Sequence, residues 1–381
     1  MKQQIKAIMK GLGFERIGEE HLVTDINHDY TQNQKKILIS YLDYQKTTRE
    51  LASYAGHTNR QEMMQIIKSC IQMGFCIDVC GCMDAKVAER LPENYYDYIL
   101  GFGTNFFLAK EKSPKAKSIL YMTENPYYIS YEREMERLRY FTERTGRKYH
   151  LERTGVYYSK DDEKKADAVI CLGDASYIEG NGRKCIRIWP SALKNPTFQL
   201  SYQNKKKNSF MVYGVDGFIH KGNDLLIEVF AKHPEWKLYV CGKNGENKAK
   251  QIGYTNLPEN IHIMGAIDTL SETFNEIVKE CYYLLLPSCS EAPSTAVLTG
   301  MRHGVIPIVS RGIGLDNLID YCKYFDDYHI GEIEKRISEA VKENDEVLQE
   351  MSRCIMEYAD KEYTLDAYTQ GIRCALEELC E

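Results

Sequence analysis

The sequence lacks the long apolar runs that mark a membrane protein. Its longest apolar runs, such as CYYLLLP at 281–287, fall far short of the roughly 20 residues that a membrane-spanning helix needs. No segment is low in complexity, and apolar residues make up 43% and charged residues 27% of the 381 positions. These proportions are typical of a globular protein, and a chain of this length predicts two domains.

Excess positive charge is also absent. The chain has 49 basic and 55 acidic residues, which gives a net charge of −6 at pH 7. Since a nucleic-acid-binding protein usually presents a basic face, we expect no nucleic-acid partner. The first residues, MKQQIKAIMKGLGF, have no apolar core followed by a small-residue cleavage site. We therefore expect no signal peptide and a cytoplasmic location.

Residues 1–34 stand apart from the predicted strands. Lysines at 2, 6 and 10 lie beside apolar Ile5, Ile8 and Met9, and such a segment can bind an anionic membrane surface. Packing on its own domain or on a partner subunit is the more frequent outcome. Attachment to the inner face of the membrane is thus the alternative to a free cytoplasmic protein.

CxxC pairs, a common sign of a zinc site, are missing although the chain has 13 cysteines. Most of these cysteines lie inside apolar runs, as Cys171, Cys241 and Cys281 do. We interpret them as reduced thiols that serve as small core side chains, and we expect no metal site.

Strands and helices alternate along the chain, which predicts parallel sheets covered by helices. Thr58 with Gln61 and Thr269 with Glu272 form capping-box patterns at two predicted helix starts. Six strands are predicted before residue 201 and five after it. Their bounds are 35–41, 75–80, 96–100, 117–122, 166–173 and 185–189, then 209–214, 236–242, 260–265, 282–287 and 305–310.

The polar stretch SYQNKKKNS at 201–209 interrupts this alternation and is the best candidate for a linker. We predict an α/β protein of two doubly wound domains, 1–200 and 209–360, joined by residues 201–208. Residues 361–381 are predicted to form a C-terminal helix. This helix either crosses back onto the first domain or remains with the second.

Two loops of the second domain have a glycine and a lysine where a strand ends. In YGVDGFIHKGNDLLIEVF, Gly214 ends the strand and Lys221 and Gly222 precede a helix. A lysine at a helix start can reach a phosphate, and the helix dipole favours the same anion. A surface lysine beside a turn is the alternative. The loop VCGKNGEN is a weaker version with Lys243.

A third loop, within LPSCSEAPSTAVLTGMRHGVIPIVS at 286–310, carries a single carboxylate. Ser294 and Thr295 are natural N-caps, and the small residues Ala292 and Pro293 let an anion approach the free amides. Glu291 would repel a phosphate but can accept hydrogen bonds from hydroxyls. A sugar phosphate satisfies both features, whereas a solvated loop carboxylate is the alternative reading.

Residues 209–310 resemble the C-terminal domain of retaining, family 4 type glycosyltransferases (glycosyl transferases group 1). These enzymes have the GT-B fold, in which two Rossmann-like domains face a cleft. The resemblance rests on GVDGFIHKG and on PSCSEAPSTAVLTGMRHGVIPIVS, which is similar to the family's loop, helix and strand with the first glutamate of its E-x7-E motif. It implies that Lys221 contacts the donor diphosphate, Glu291 the donor sugar hydroxyls, and the amides near Ser294 and Thr295 a phosphate.

Two positions depart from the family pattern. The arginine that often follows the first-strand glycine is Val215 here, and the second glutamate, which usually holds the ribose hydroxyls, is Thr299. A threonine hydroxyl makes only a neutral contact.

The resemblance implies a hexosyltransferase-type enzyme that moves a sugar from a nucleotide-diphosphate sugar, a UDP-sugar rather than a GDP-sugar, to a glycan or related acceptor. It also implies retention of anomeric configuration, no required metal or other cofactor, and a role in bacterial-type polysaccharide or glycoconjugate synthesis. The alternatives are a GT-B sugar-nucleotide epimerase and a non-catalytic nucleotide-sugar-binding or scaffold protein. The sequence predicts no oligomeric state.

Candidate acceptor-side residues follow three strands of the first domain. Asp43 and Tyr44 come after the first strand, Gly103 after the third and Glu124 after the fourth. Because ligands bind beyond the carboxyl ends of parallel strands, we expect all four to line the cleft.

Overall fold

A computed structural model describes residues 21–29, 33–53, 58–172, 176–178, 182–214, 216–315, 318 and 320–381. The predicted membrane-surface segment near Ile5 and the departure from the family pattern at Val215 lie outside the described residues.

The first domain is built on a seven-stranded sheet with the order β1-β3-β2-β4-β5-β6-β7. The edge strand β1 runs antiparallel to β3, and the other neighbours are parallel. The strands are β1 (Leu22–Ile26), β2 (Lys36–Tyr41), β3 (Cys76–Gly81), β4 (Tyr98–Gly101), β5 (Lys117–Met122), β6 (Ala168–Leu172) and β7 (Lys184–Ile188). The helices are α1 (Tyr44–Ser53), α2 (Thr58–Gln72), α3 (Gly103–Lys112), α4 (Tyr127–Thr145) and α5 (Asp162–Lys165), with a 3-10 turn at Ala85–Val87.

The second domain has a fully parallel six-stranded sheet with the order β10-β9-β8-β11-β12-β13. Its strands are β8 (Lys206–Tyr213), β9 (Lys237–Cys241), β10 (Ile261–Gly265), β11 (Cys281–Leu286), β12 (Ile306–Ser310) and β13 (Lys323–Phe325). The helices that follow in the chain are α6 (Asn223–Lys232), α7 (Gly245–Gln251), α8 (Glu272–Glu280), α9 (Thr295–Met301), α10 (Ile330–Ala340), α11 (Asp345–Glu362) and α12 (Leu365–Cys380).

All eleven predicted strands are present, and two edge strands were missed. Strand β1 lies inside the segment 1–34 that we had set apart, and β13 has only three residues. An edge strand pairs on one side and needs fewer apolar residues, so its pattern is weak. Strand β8 begins at Lys206, which pairs with Cys281, so the last three residues of the predicted linker belong to the sheet.

The central strands are buried on both faces, which explains why they read as nearly continuous apolar runs. Ile37, Ile39 and Ile99 are at most 1% exposed in the first sheet, and Leu284 and Ile308 are equally buried in the second. Ten of the thirteen cysteines are buried.

Two helices connect the domains. Helix α4 of the first domain places Leu138 and Phe141 in the core of the second. The C-terminal helix α12 returns to the first domain, where Tyr368 contacts Tyr121 with 2.9 Å between their hydroxyl oxygens. The Tyr98 hydroxyl also donates to the carbonyl of Cys380 at 2.7 Å.

One predicted helix start was wrong. Thr269 is fully buried and does not cap α8. The N-cap is Ser271, whose hydroxyl accepts a hydrogen bond from the backbone N–H of Phe274 at 3.1 Å. A cap must lie directly before the first helical residue, and Thr269 lies two positions too early.

Candidate active site between the two domains

A cavity of about 930 Å³ lies where loops at the carboxyl ends of the two parallel sheets meet. Its lining combines residues 41–42 and 123–125 of the first domain with residues 213–214, 216, 220–221 and 290–296 of the second. Open parallel sheets place loops and helix starts at this edge, so these segments converge although they are far apart in sequence.

The loop after β8 supplies the first cation of the cavity. Gly214 has φ = 117°, and Gly222, with φ = 74°, is the N-cap of α6. A Cβ atom on Gly222 would lie 2.4 Å from the carbonyl oxygen of Pro287, so glycine is required for the close approach of the two loops. Gly214 and Lys221 line the cavity, whereas Gly222 does not line it and packs against Pro287.

The loop after β11 supplies the carboxylate. Glu291 Oε1 accepts hydrogen bonds from Lys221 Nζ at 2.6 Å and from Ser288 Oγ at 3.1 Å. Burial by itself would raise the pKa of Glu291, but the charges of Lys221, His220 and Arg153 lower it below its usual value. The carboxylate is therefore ionised and, as an acceptor, suited to hydroxyl groups.

The residues after Glu291 form the floor of the cavity. Ala292, Pro293, Ser294 and Thr295 all line it, and Ser294 occupies the N-cap position of α9. The predicted N-cap position of Ser294 is confirmed, but its side chain makes no capping hydrogen bond.

Thr299 also lines the cavity but is only 2% exposed. Its hydroxyl oxygen accepts a hydrogen bond from the backbone N–H of Leu193 at 3.2 Å. Thr299 therefore contacts the segment between β7 and β8, and its own hydroxyl proton is free to be donated elsewhere.

Lys243, the weakest of the predicted phosphate contacts, follows β9 and lies at the rim. It lines the cavity and is exposed. The next residue, Asn244, has φ = 62° and is the N-cap of α7.

Of the four acceptor-side candidates, all of which the structure describes, Glu124 lines the cavity. Asp43 instead caps α1, with its carboxylate accepting from the backbone N–H of Lys46 at 2.6 Å. Tyr44 is the first residue of that helix and packs on the core of the first domain. A Cβ on Gly103 would lie 2.8 Å from the carbonyl oxygen of Cys82, so this glycine serves a tight turn. The expectation that Asp43, Tyr44 and Gly103 line the cleft was therefore wrong.

Several cavity residues carry no recognisable signal in the sequence. Arg153 enters from the loop between α4 and α5, and Glu62 enters from α2. Asn125 Nδ2 donates to Ser290 Oγ and to the carbonyl of Glu291, both at 3.0 Å, so the first domain holds the loop that carries Glu291.

His220 is a buried charge beneath the cavity. Its Nε2 lies 2.6 Å from the carbonyl oxygen of Ser290, and its Nδ1 lies 3.3 Å from Glu134 Oε1. Burial lowers the pKa of His220, but Cys289 and Glu134 raise it well above its usual value. His220 lines the cavity and also holds the loop that carries Glu291 through its contact with the Ser290 carbonyl.

The family comparison decides the class of protein. Residues 197–361 match the family model described as Glycosyl transferases group 1. The second domain is a glycosyl transferases group 1 domain. The chain is accordingly a glycosyltransferase, and its two Rossmann-like domains have the GT-B arrangement that the sequence predicted.

Solved structures show the same fold across almost the whole glycosyltransferase chain. HepE of Anabaena, in complex with UDP and glucose, has a TM-score of 0.57 and 13% identity over 91% of this chain and 100% of its own. Sucrose-phosphate synthase from Thermosynechococcus elongatus has a TM-score of 0.59 and 13% identity over 91% of this chain and 99% of its own.

A third similar structure is WaaG, a glycosyltransferase involved in lipopolysaccharide biosynthesis. It has a TM-score of 0.55 and 16% identity over 90% of this chain and 99% of its own. No curated protein sequence matches the chain significantly. Within the described part of the glycosyltransferase, no helix is long and apolar enough to cross a membrane.

Proposed function

We propose that this glycosyltransferase moves a sugar from a nucleotide-diphosphate sugar to a hydroxyl of a glycan or related acceptor with retention of anomeric configuration. The observation that carries the proposal is the Lys221–Glu291 pair, 2.6 Å apart at the cavity beside the start of α9. A cation and an ionised hydroxyl acceptor side by side match a ligand that carries a diphosphate next to a sugar.

The bond changes assign a role to each group. The bond between the anomeric carbon and the diphosphate oxygen breaks, and its electron pair remains on the diphosphate. The acceptor oxygen bonds to the anomeric carbon, and its proton is released with the nucleoside diphosphate. Lys221 and the amides at 294–296 would stabilise the charge that grows on the leaving group, and this stabilisation needs no metal.

Glu291 would hold the hydroxyls of the transferred sugar. Closure of the two domains around the donor would exclude water and limit its hydrolysis. A UDP-sugar is the favoured donor, since HepE, whose fold is similar, has been crystallised with UDP-glucose. The use of ten cysteines as buried side chains suits a reducing cytoplasmic location.

A thermal-shift screen of nucleotide sugars tests the donor. A ligand at about 100 times its dissociation constant stabilises the folded state by about 2.7 kcal/mol. We expect a UDP-sugar to raise the melting temperature. Turnover with a glycan acceptor should give a product whose anomeric configuration, determined by NMR, is the same as that of the donor. A product of inverted configuration would refute retention. A donor converted to its epimer without acceptor would instead establish an epimerase.

Lys221→Met tests the site. The substitution keeps most of the stem and removes the charge, so donor binding should weaken and turnover should fall further, because charge on the diphosphate grows in the transition state. The control is Lys232→Met, at an exposed lysine in the last turn of α6. Equal activity of the two variants at donor concentrations below saturation would show that Lys221 does not contact the donor.

A further inference from the structure

Arg153 is a cation of the first domain that faces the proposed donor loops. It lines the cavity, its side chain is 31% exposed, and it forms an ion pair with Glu124. Both partners belong to the first domain, so this ion pair does not hold the domains together. Both side chains line the cavity and are partly exposed, so a ligand in the cavity can reach them.

The loop that carries Arg153 is held rigidly from below. The carboxylate of Glu134, 1% exposed, accepts hydrogen bonds from the backbone N–H groups of Glu152, Arg153 and Thr154 at 2.7, 3.1 and 2.9 Å. Burial raises the pKa of Glu134, but the hydrogen bond and the charge of His220 and the hydrogen bond of the Thr154 hydroxyl help to lower it to about 2. The backbone at Arg153 is therefore fixed by an ionised, buried carboxylate.

The same loop is joined to the second domain beside Lys221. The carboxylate of Glu152 accepts hydrogen bonds from the backbone N–H groups of Phe218, Ile219 and His220 at 2.8, 2.8 and 3.0 Å. These residues belong to the loop between β8 and α6, so Arg153 keeps its place relative to that loop.

The side chain of Arg153 lies directly over this loop. A Cβ on Gly217, where φ is 75°, would lie 2.8 Å from Arg153 Cγ, so the absence of a side chain at 217 makes room for the arginine. Arg153 and Lys221 both act on the carboxylate of Glu291. The two cations, one from each domain, thus face one part of the cavity.

We propose that Arg153 binds the diphosphate of the donor, so that the first domain completes the donor site. This inference rests on the proposed function. A guanidinium offers paired N–H donors that match two phosphate oxygens, which a lysine cannot do. The loop YGVDGFIHKG carries Lys221 as its single lysine or arginine, and Arg153 adds a permanent positive charge beside this loop. Glu124 holds Arg153 until the diphosphate takes it over.

The first test compares UDP with UMP, which lacks the outer phosphate. We expect Arg153→Met to weaken UDP binding by roughly tenfold or more and UMP binding much less. Arg153→Lys keeps the charge, so its affinity for UDP should lie between those of the wild type and Arg153→Met. Arg139→Met, at an arginine of α4 that is 69% exposed, is the control and should bind both nucleotides as the wild type does. Isothermal titration calorimetry gives the dissociation constants.

The second test removes the partner of Arg153. Glu124→Gln should tighten UDP binding severalfold, because Arg153 no longer has to leave an ion pair. In Arg153→Met this gain should vanish, and a double-mutant cycle measures the coupling. A purely structural arginine would show no such coupling.

The outcomes separate this inference from the proposed function. Wild-type protein that binds UDP, with an unchanged preference for UDP over UMP in both Arg153 variants, would overturn the role of Arg153 and leave the proposed function standing. Wild-type protein that binds none of UDP, GDP and ADP would overturn both. If circular dichroism shows that Arg153→Met does not fold, the preference of Arg153→Lys for UDP over UMP decides whether Arg153 binds the diphosphate.

Discussion

At the scale of single residues, two cations of the cavity are paired with carboxylates. Lys221 contacts Glu291, and Arg153 contacts Glu124. Partly buried charges without partners would cost several kcal/mol each, so these pairs let the protein hold charged side chains ready at a desolvated site. An anionic ligand can replace a carboxylate in such a pair and keep the cation compensated.

Glu291→Gln tests whether the carboxylate acts on the sugar. The amide keeps the shape but replaces one acceptor with a donor, which leaves a sugar hydroxyl mismatched. Hydrogen bonds to a charged group are worth about 1.5–3 kcal/mol, so turnover should fall by roughly ten- to a hundredfold. The affinity for UDP, measured by calorimetry, should not weaken. Glu259→Gln, at an exposed glutamate before β10, serves as control.

A loss of UDP affinity as large as the loss for the UDP-sugar would contradict this assignment. It would return Glu291 to a structural role as the partner of Lys221.

Glu62 makes stability depend on pH. It is 2% exposed, and its Oε1 accepts from the backbone N–H and hydroxyl of Ser191 at 2.6 and 2.8 Å. Burial raises its pKa to about 7 although these hydrogen bonds lower it. Between pH 4.5 and about 7 the folded state therefore keeps a proton that the unfolded chain has released, and stability falls as pH rises through this window.

Glu62→Gln should remove this dependence, because glutamine keeps an acceptor for Ser191 and cannot ionise. The free energy of unfolding of the variant, relative to wild type, should rise by about 3 kcal/mol between pH 4.5 and pH 8. Urea denaturation at both pH values measures it. Glu111→Gln, at an exposed glutamate of α3, should follow the wild type. An equal pH dependence of wild type and Glu62→Gln would refute the ionisation assigned to Glu62.

At the scale of elements, α4 joins the domains through buried charges. Arg137 of α4 and Asp224 of α6 form an ion pair in which both side chains are 0% exposed. Arg144 donates to Asp224 at 2.7 Å and to Glu228 at 2.9 Å, so two arginines of one helix meet two carboxylates of the other. Such a pair constrains how the helices dock, because leaving either partner alone is costly.

Asp224→Asn should therefore destabilise the protein far more than Glu228→Gln. The first change leaves a fully buried guanidinium without its charge partner and should cost about 3 kcal/mol or more. The second acts on a carboxylate that is 24% exposed and should cost about 1 kcal/mol or less. Urea denaturation of both variants at pH 7 compares them. Equal losses would show that the buried pair adds nothing beyond a surface ion pair.

At the scale of the whole molecule, the chain returns from the second domain to the first through its last helix. Helix α11 packs on the second domain and α12 on the first, where Ile372, Leu376 and Leu379 are fully buried. The last helix therefore completes the core of the first domain and is a second covalent connection between the domains.

Leu376→Ala tests this completion. Truncating a fully buried leucine costs about 2–5 kcal/mol. Glu377→Ala, at the exposed neighbouring position, should be nearly neutral. Thermal unfolding, followed with and without UDP, should show that the first transition of Leu376→Ala has a lower midpoint temperature than that of the wild type. A melting temperature equal to that of Glu377→Ala would mean that α12 is not needed for the first domain.

The sequence by itself determined the elements whose signal is local. Apolar runs marked eleven strands, and the glycine, the lysine and the glutamate at strand ends marked the loops of Gly214, Lys221 and Glu291, all of which line one cavity. Parallel strands buried on both faces leave little ambiguity in their pattern, and their carboxyl ends must meet at one edge.

Only the tertiary structure decided which first-domain residues face that edge. Asp43 follows a strand just as Glu124 does, yet it caps a helix while Glu124 lines the cavity. Arg153 reaches its position through contacts such as that between Glu152 and Phe218, 66 residues apart in the chain. Contacts over such distances leave no periodicity or spacing in the sequence, because they form only when two separately folded sheets bring their loops together.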